Sequence, residues 1–324
     1  MTRAQIARVD GDEPLGPSIR LATRLSRDEA FAAVVDHGST MRELTARIRR
    51  AAKSRASLLF RGEPGCGRRA MARLVHELSS RAEMTFVRLD CAAMSAQRLE
   101  AELFGVKRGA YVGAERDREG LLQAAHRGTL LLENVSEIGA GFQPKLQEFL
   151  SVGEFHRVGD RWGTRRVDVR MIATTGEALD DVVAKGRFRR DLCDRLSVIS
   201  LDVPSLRRHP EDIPSLLEHF DDVLTEGRGI TFDPAVFEVL LGYPWPGNVR
   251  ELQNAVECGF VLGDGKRIQL EDLPVSIREF AGIDGVGFEV AERSGGRSST
   301  TRSGSTQQGK GSRQLPARVL NLLA

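Results

Sequence analysis

Five short apolar runs, Ser57–Phe60, Thr85–Leu89, Thr129–Leu132, Val169–Ala173 and Val198–Val203, alternate along this chain with segments of helical period. The helical segments between them are Arg69–Ser80, Gln97–Phe104, Phe142–Leu150 and Asp180–Lys185. An amphipathic helix carrying Met41, Leu44, Ile48 and Ala52 on one face precedes them all. Apolar runs without polar alternation suit strands buried on both faces, and intervening helices supply the cover. The pattern predicts an α/β chain with a parallel five-stranded sheet, whose ligands bind at the carboxyl ends of the strands.

The first run leads into Gly62-Glu63-Pro64-Gly65-Cys66-Gly67-Arg68-Arg69. A glycine-rich turn between strand and helix cradles nucleotide phosphates on backbone N–H groups. Here Arg68 holds the position of the usual lysine and Arg69 that of the usual hydroxyl residue. A guanidinium keeps the positive charge but is bulkier and planar. Binding of the phosphates is therefore expected to survive better than placement of the terminal one. The third run ends in Glu133-Asn134, where an acidic pair would support Mg²⁺ and polarise a water. Glu133 retains a carboxylate and is the metal candidate; Asn134 cannot accept a proton. Losing a general base slows such a step by about 10²–10⁴-fold, or roughly 3–5 kcal/mol of barrier. Asn134 can still orient a water, and taken alone the segment reads equally as a buried strand with a polar end.

Six motifs in order make the reading more specific. Gly62–Arg68, Glu102-Leu103-Phe104-Gly105 with Gly109-Ala110-Tyr111-Val112-Gly113-Ala114, and Gly128–Asn134 come first. Gly186–Leu192 with Arg195-Leu196, Pro204–Arg207 with Glu211–Ile213, and Trp245–Leu252 follow. Together, from about Asp36 to Ile277, they resemble the central AAA+ domain of the activators of sigma-54 RNA polymerase. The resemblance implies an AAA+ P-loop NTPase fold with a C-terminal α-helical lid. It implies sensor positions at Thr175, where the following Asn is replaced by Gly176, and at Arg250. It implies arginine fingers at Arg189 and Arg195, which from spacing alone would read as a solvated helix face. The Gly109–Ala114 loop would contact the sigma factor, with the aromatic kept as Tyr111 and a threonine replaced by Val112. Asp90 stands where the family commonly has an Asn coupled to the catalytic Glu.

The ends of the chain carry less. Strand signals stop after Pro204, and Pro210–Leu224, Pro234–Leu241 and Asn248–Leu262 read as helices. From Arg293 to Gln314 the chain is rich in Ser, Gly and Thr, without acids or aromatics, and is expected to be disordered. The expected organisation is a leader over 1–34, a nucleotide-binding unit over 35–206, a helical lid over 207–282 and a basic tail over 283–324. A net charge of +2 over 324 residues does not imply nucleic-acid binding, and no specific DNA-binding element is recognisable. Four scattered cysteines and no long apolar run argue against a disulfide framework or membrane span, with a cytoplasmic location as the default. With the resemblance, the chain is expected to bind ATP and Mg²⁺, to form a ring with itself or related subunits, and to meet the sigma-54 holoenzyme. Hydrolysis is expected to be weak or absent, the alternative being a non-catalytic partner subunit of a related activator.

Overall fold

The computed structural model describes residues 39–283, apart from 112–113, 161, 226–228 and 264. The expected leader, all but the first residue of the expected tail, and Val112 and Gly113 lie outside the described residues. Five strands, β1 (Leu58–Arg61), β2 (Phe86–Asp90), β3 (Thr129–Glu133), β4 (Arg170–Thr175) and β5 (Ile199–Asp202), form a parallel sheet in the order β2-β3-β4-β1-β5. Every residue of β3 and β4 is buried, as two-sided cover requires. Helices α1 (Ser39–Ala52) and α2 (Arg68–Glu77) pack together on one face. On the other, α3 (Ala96–Phe104), α4 (Gln143–Val152), α5 (Leu179–Ala184) and α6 (Arg190–Leu196) close a single core. There Leu59, Leu89, Leu132 and Ala173 from the strands meet Leu103, Leu146, Val182 and Leu192 from the helices.

The register sets the site. Parallel pairing brings Asp90 beside Glu133, and Arg61 beside both Thr175 and Asp202, so the carboxyl ends form one row. Helix α2 starts one residue earlier than the sequence suggests, because Gly67 takes a left-handed φ of 95° at its N-cap. It also ends sooner, since the Ser79 hydroxyl donates to the His76 carbonyl and draws the chain out of the helix.

The chain divides into two compact units, one running to His219 and including Pro244–Leu252, the other comprising Phe220–Tyr243 and the residues from Gln253 on. Further helices are α7 (Ile213–Thr225), α8 (Pro234–Gly242), α9 (Asn248–Leu262) and α10 (Val275–Phe280). Within the second unit Thr231–Phe232 pairs with Arg267–Ile268, and Tyr243 meets Phe280 edge to face at 5.3 Å. These two-residue strands and the short α10 are too brief to carry a period, so the sequence does not announce them.

His76, on α2, is buried, with Nδ1 2.9 Å from the Thr129 hydroxyl, and burial lowers its pKa from 6.5 to about 4. The fold thus favours the neutral ring. Its contribution is complete above pH 6.5 and is lost as pH falls through about 4, where it amounts to about 3 kcal/mol. Thermal melts should show stability falling from pH 6.5 to 4.5, and the slope should be shallower in His76→Gln. An equal slope in both proteins would remove His76 as the cause.

Candidate functional site

The turn after β1 is built by its glycines. Gly65 has φ +80°, and a Cβ there would lie 2.1 Å from the Gly247 carbonyl oxygen. Pro64 has no N–H to give, and the Cys66 amide donates to the Glu63 carbonyl at 3.3 Å. The first amides of α2, like those of any helix, lack acceptors within the helix and face the turn. Cys66 is buried, and burial pushes its thiol pKa up to about 11, so it is a packing residue.

Asn248 ties this turn down. It is fully buried, its Nδ2 donates to Glu63 Oε2 at 3.1 Å and to the Pro64 carbonyl at 3.0 Å, and its Oδ1 accepts from the Leu206 amide at 2.9 Å. The Arg250 amide donates to the Gly65 carbonyl at 3.3 Å, which sets the exposed Arg250 side chain beside the turn. The Glu63 carboxylate is held by Arg207 as well as Asn248, and these bonds hold its pKa down at about 2. Glu63 thus fixes the loop with its side chain and can face a ligand only through its backbone. Arg207 and Asn248 are sequence-distant from the turn, and neither is singled out as a site residue by the sequence alone.

Arg68 projects from the first turn of α2. Its Nη1 is buried and has no hydrogen-bond partner among the described residues. Burial lowers its pKa, and the nearby charges include Glu133, Arg250 and Asp90. A Cβ on Gly176 would stand 3.7 Å from that nitrogen. The glycine that replaces the expected asparagine therefore leaves room for the larger cation. Thr175 is buried at the end of β4, and its hydroxyl donates to the Glu177 carbonyl at 2.7 Å while accepting the Glu177 amide at 3.2 Å. The neighbouring Thr174 hydroxyl accepts the Asn134 amide at 3.3 Å.

The acidic end of β3 is rearranged. Both Glu133 oxygens are taken by the Arg69 fork, Nε to Oε1 at 2.8 Å and Nη2 to Oε2 at 3.1 Å. Arg88 Nε adds an ion pair at 3.3 Å to Oε1. Asn134 has φ 55°, a left-handed conformation that Asn tolerates well, and its Nδ2 donates to Asp90 Oδ1 at 2.9 Å. Where the resemblance implies a carboxylate at position 134 and an amide at position 90, this chain carries the reverse, joined by that hydrogen bond. Mg²⁺ needs several oxygen ligands at roughly 2.0–2.1 Å in an octahedron. Position 69 offers no hydroxyl, Glu133 is enclosed by guanidiniums, and among the described residues no three acidic, His or Cys side chains cluster to hold a metal. The residues present do not fit the cation expected at Glu133. They suit an anion better: the half-buried Arg68, with its Nη1 buried and unpartnered among the described residues, stands at a helix start, where phosphates are bound.

Two further groups lie apart from this cluster. Arg189 and Arg195 are exposed on or beside α6, and Arg189 pairs with Asp191 at 2.9 and 2.7 Å. The described part of the Gly109–Ala114 loop closes on itself through the Gly109 amide to the Ala114 carbonyl at 2.9 Å, leaving Tyr111 52% exposed. A Cβ on Gly159 would stand 2.5 Å from that of Ala110, so this loop packs on the segment that carries Trp162, 93% exposed. A lone aromatic in a polar stretch gave no signal in the sequence.

The Sigma-54 interaction domain family model matches residues 34–202, and the AAA+ ATPase lid domain model matches residues 207–284. A Nif-specific regulatory protein of Herbaspirillum seropedicae is 43% identical over 243 residues, covering 74% of this chain and 44% of the relative. NtrX from Brucella abortus in complex with ADP shows 34% identity and a TM-score of 0.69, over 78% of this chain and 58% of that one. The same protein in complex with ATP shows 35% identity and a TM-score of 0.67, over 76% and 57%. The chain therefore spans about half the length of these relatives. Among the described residues no helix is long and apolar enough to cross a membrane.

Proposed function

Because the chain belongs to the Sigma-54 interaction domain family, with an AAA+ P-loop fold and a lid domain, we propose that it binds ATP and ADP and regulates transcription through sigma-54 polymerase, with ATP hydrolysis weak or absent. The observation that carries the nucleotide reading is Arg68 Nη1 at the start of α2, a buried cationic nitrogen with no hydrogen-bond partner among the described residues. NtrX, one relative of known structure, was solved with ADP and with ATP. The exchange of Asp90 and Asn134 supports the hydrolytic half of the proposal. It sets the carboxylate on β2, where its Oδ1 is already occupied by Asn134 and by the Ala92 amide at 3.1 Å.

Around the nucleotide, Gly62, Gly65, Gly67 and the start of α2 form the cradle, Arg68 and Arg250 supply charge, and Glu63, Pro64 and Cys66 shape the turn. Arg189 and Arg195 reach a neighbouring subunit's nucleotide in a ring of this chain or related ones, and their exposure leaves them available for it. Tyr111, exposed in its loop, meets sigma-54. Such a regulator works in the cytoplasm. A second reading, a non-catalytic subunit seated in a related activator's ring, is favoured by the same Asp90–Asn134 exchange, because the arginine fingers are kept while the water-activating carboxylate is not. Calorimetric titration should give saturable one-to-one binding of ADP and ATP, weakened at least about tenfold in Arg68→Ala. Absence of binding to the folded protein would end the nucleotide reading.

A further inference from the structure

In this fold the divalent cation sits between the hydroxyl residue after the loop's basic residue and the acidic end of the neighbouring strand. Here those two positions are Arg69 and Glu133, and they bond directly to each other. The Arg69 fork meets the carboxylate side-on through two parallel hydrogen bonds, at 2.8 and 3.1 Å, a geometry that a planar guanidinium matches and a lysine cannot. The Glu133 side chain is 7% exposed and that of Arg69 is 41% exposed, so the carboxylate is the buried partner and the cation the accessible one. Arg88 approaches the same carboxylate from β2.

We propose that the Arg69 guanidinium replaces the divalent cation, so that nucleotide binds at this site without metal. The proposal rests on the nucleotide-binding reading above. The charges are equivalent. A carboxylate holding one divalent cation presents a net single positive charge to the phosphates, and Glu133 between Arg69 and Arg88 presents the same. The geometry is exclusive. A cation bound at Glu133 would have to displace the fork, and the displaced guanidinium would then stand beside a doubly charged ion in a partly buried site. A nucleotide carrying its own Mg²⁺ brings that charge up against Arg69, so the metal-free form is the preferred ligand.

The test is a titration of the full chain with ADP and ATP in EDTA and again in excess MgCl₂. The expected result is a dissociation constant that is unchanged within about threefold, or tighter, in EDTA. Arg69→Ser should bind at least about tenfold more weakly than the parent in EDTA and recover in MgCl₂. Tenfold or greater weakening of the parent in EDTA would overturn the proposal while leaving the nucleotide site intact. No binding in either buffer would instead overturn the nucleotide reading, and this proposal with it. Should Arg69→Ser fail to fold, the parent alone still decides. Protein added to a Mn²⁺–nucleotide mixture should raise the free Mn²⁺ resonance signal as it takes up nucleotide, and a protein-bound Mn²⁺ signal would refute the replacement.

Discussion

ATP turnover by this chain should rise by about 10²–10⁴-fold when Arg68→Lys, Arg69→Thr, Asp90→Asn and Asn134→Glu are combined. Each change answers one observed contact. Asn134→Glu alone would set a second carboxylate against Asp90, whose Oδ1 now accepts from the Asn134 amide at 2.9 Å. Asp90→Asn turns that acceptor into a donor and leaves the new carboxylate hydrogen-bonded. Arg69→Thr releases Glu133 and restores a hydroxyl to the metal position, and Arg68→Lys restores a compact charge beside it. Position 134 has φ 55°, so the glutamate carries about 1–2 kcal/mol of left-handed backbone strain, well below the barrier change sought. The pair Arg68→Lys and Asn134→Glu without the other two should gain little. Adding Arg189→Ala to the fourfold variant should remove about 10³-fold of the restored rate if that side chain serves a neighbour's nucleotide. Steady-state phosphate release measures all of these. Parent turnover within about tenfold of the fourfold variant would show that the exchanged pair does not limit hydrolysis.

Gly65→Ala should abolish nucleotide binding, with a loss of at least about 10²-fold in affinity. The residue has φ +80°, and its Cβ would stand 2.1 Å from the Gly247 carbonyl oxygen, an impossible contact with backbone on both sides. One of the two segments must move, and either movement breaks the bonds that Asn248 makes to Glu63 and Pro64. The melting temperature should fall as well, because the strained torsion and the displaced turn act together. Gly141→Ala is the matching control, since a Cβ there meets nothing within 4 Å. Unchanged binding in Gly65→Ala would mean that the turn is not the phosphate cradle.

The sheet was legible because burial on two faces forces apolar runs such as Thr129–Leu132, and runs of that kind survive without any knowledge of partners. The glycine turn was legible for a similar reason: its torsions and close approaches are demanded within eight residues. The pairings were not. Arg69 meets Glu133 across 64 residues, Asn134 meets Asp90 across 44, and Glu63 meets Arg207 across 144. Such contacts follow from tertiary packing and, for Asp90 and Asn134, from the register of β2 on β3, neither of which a single sequence specifies. Read position by position, Arg69, Asp90, Asn134 and Gly176 look like four separate departures from a motif. In the fold they become three contacts: a fork on a carboxylate, an amide on a carboxylate, and a glycine that clears a guanidinium. The metal expected at Glu133 was the casualty, since residue type alone gave a ligand where the structure gives an ion pair.

The Asp90–Asn134 bond also constrains the order in which its two positions can change. A hydrogen bond between an amide and a carboxylate is indifferent to which strand supplies which partner, so both arrangements are stable endpoints. Between them lies either a pair of amides or a pair of carboxylates in contact. Two carboxylates repel, whereas two amides can still bond as donor and acceptor. The neutral pair is therefore the better tolerated of the two single changes, and Asp90→Asn should cost less stability than Asn134→Glu. With Asp90 in place, a glutamate at position 134 would meet a charge of its own sign.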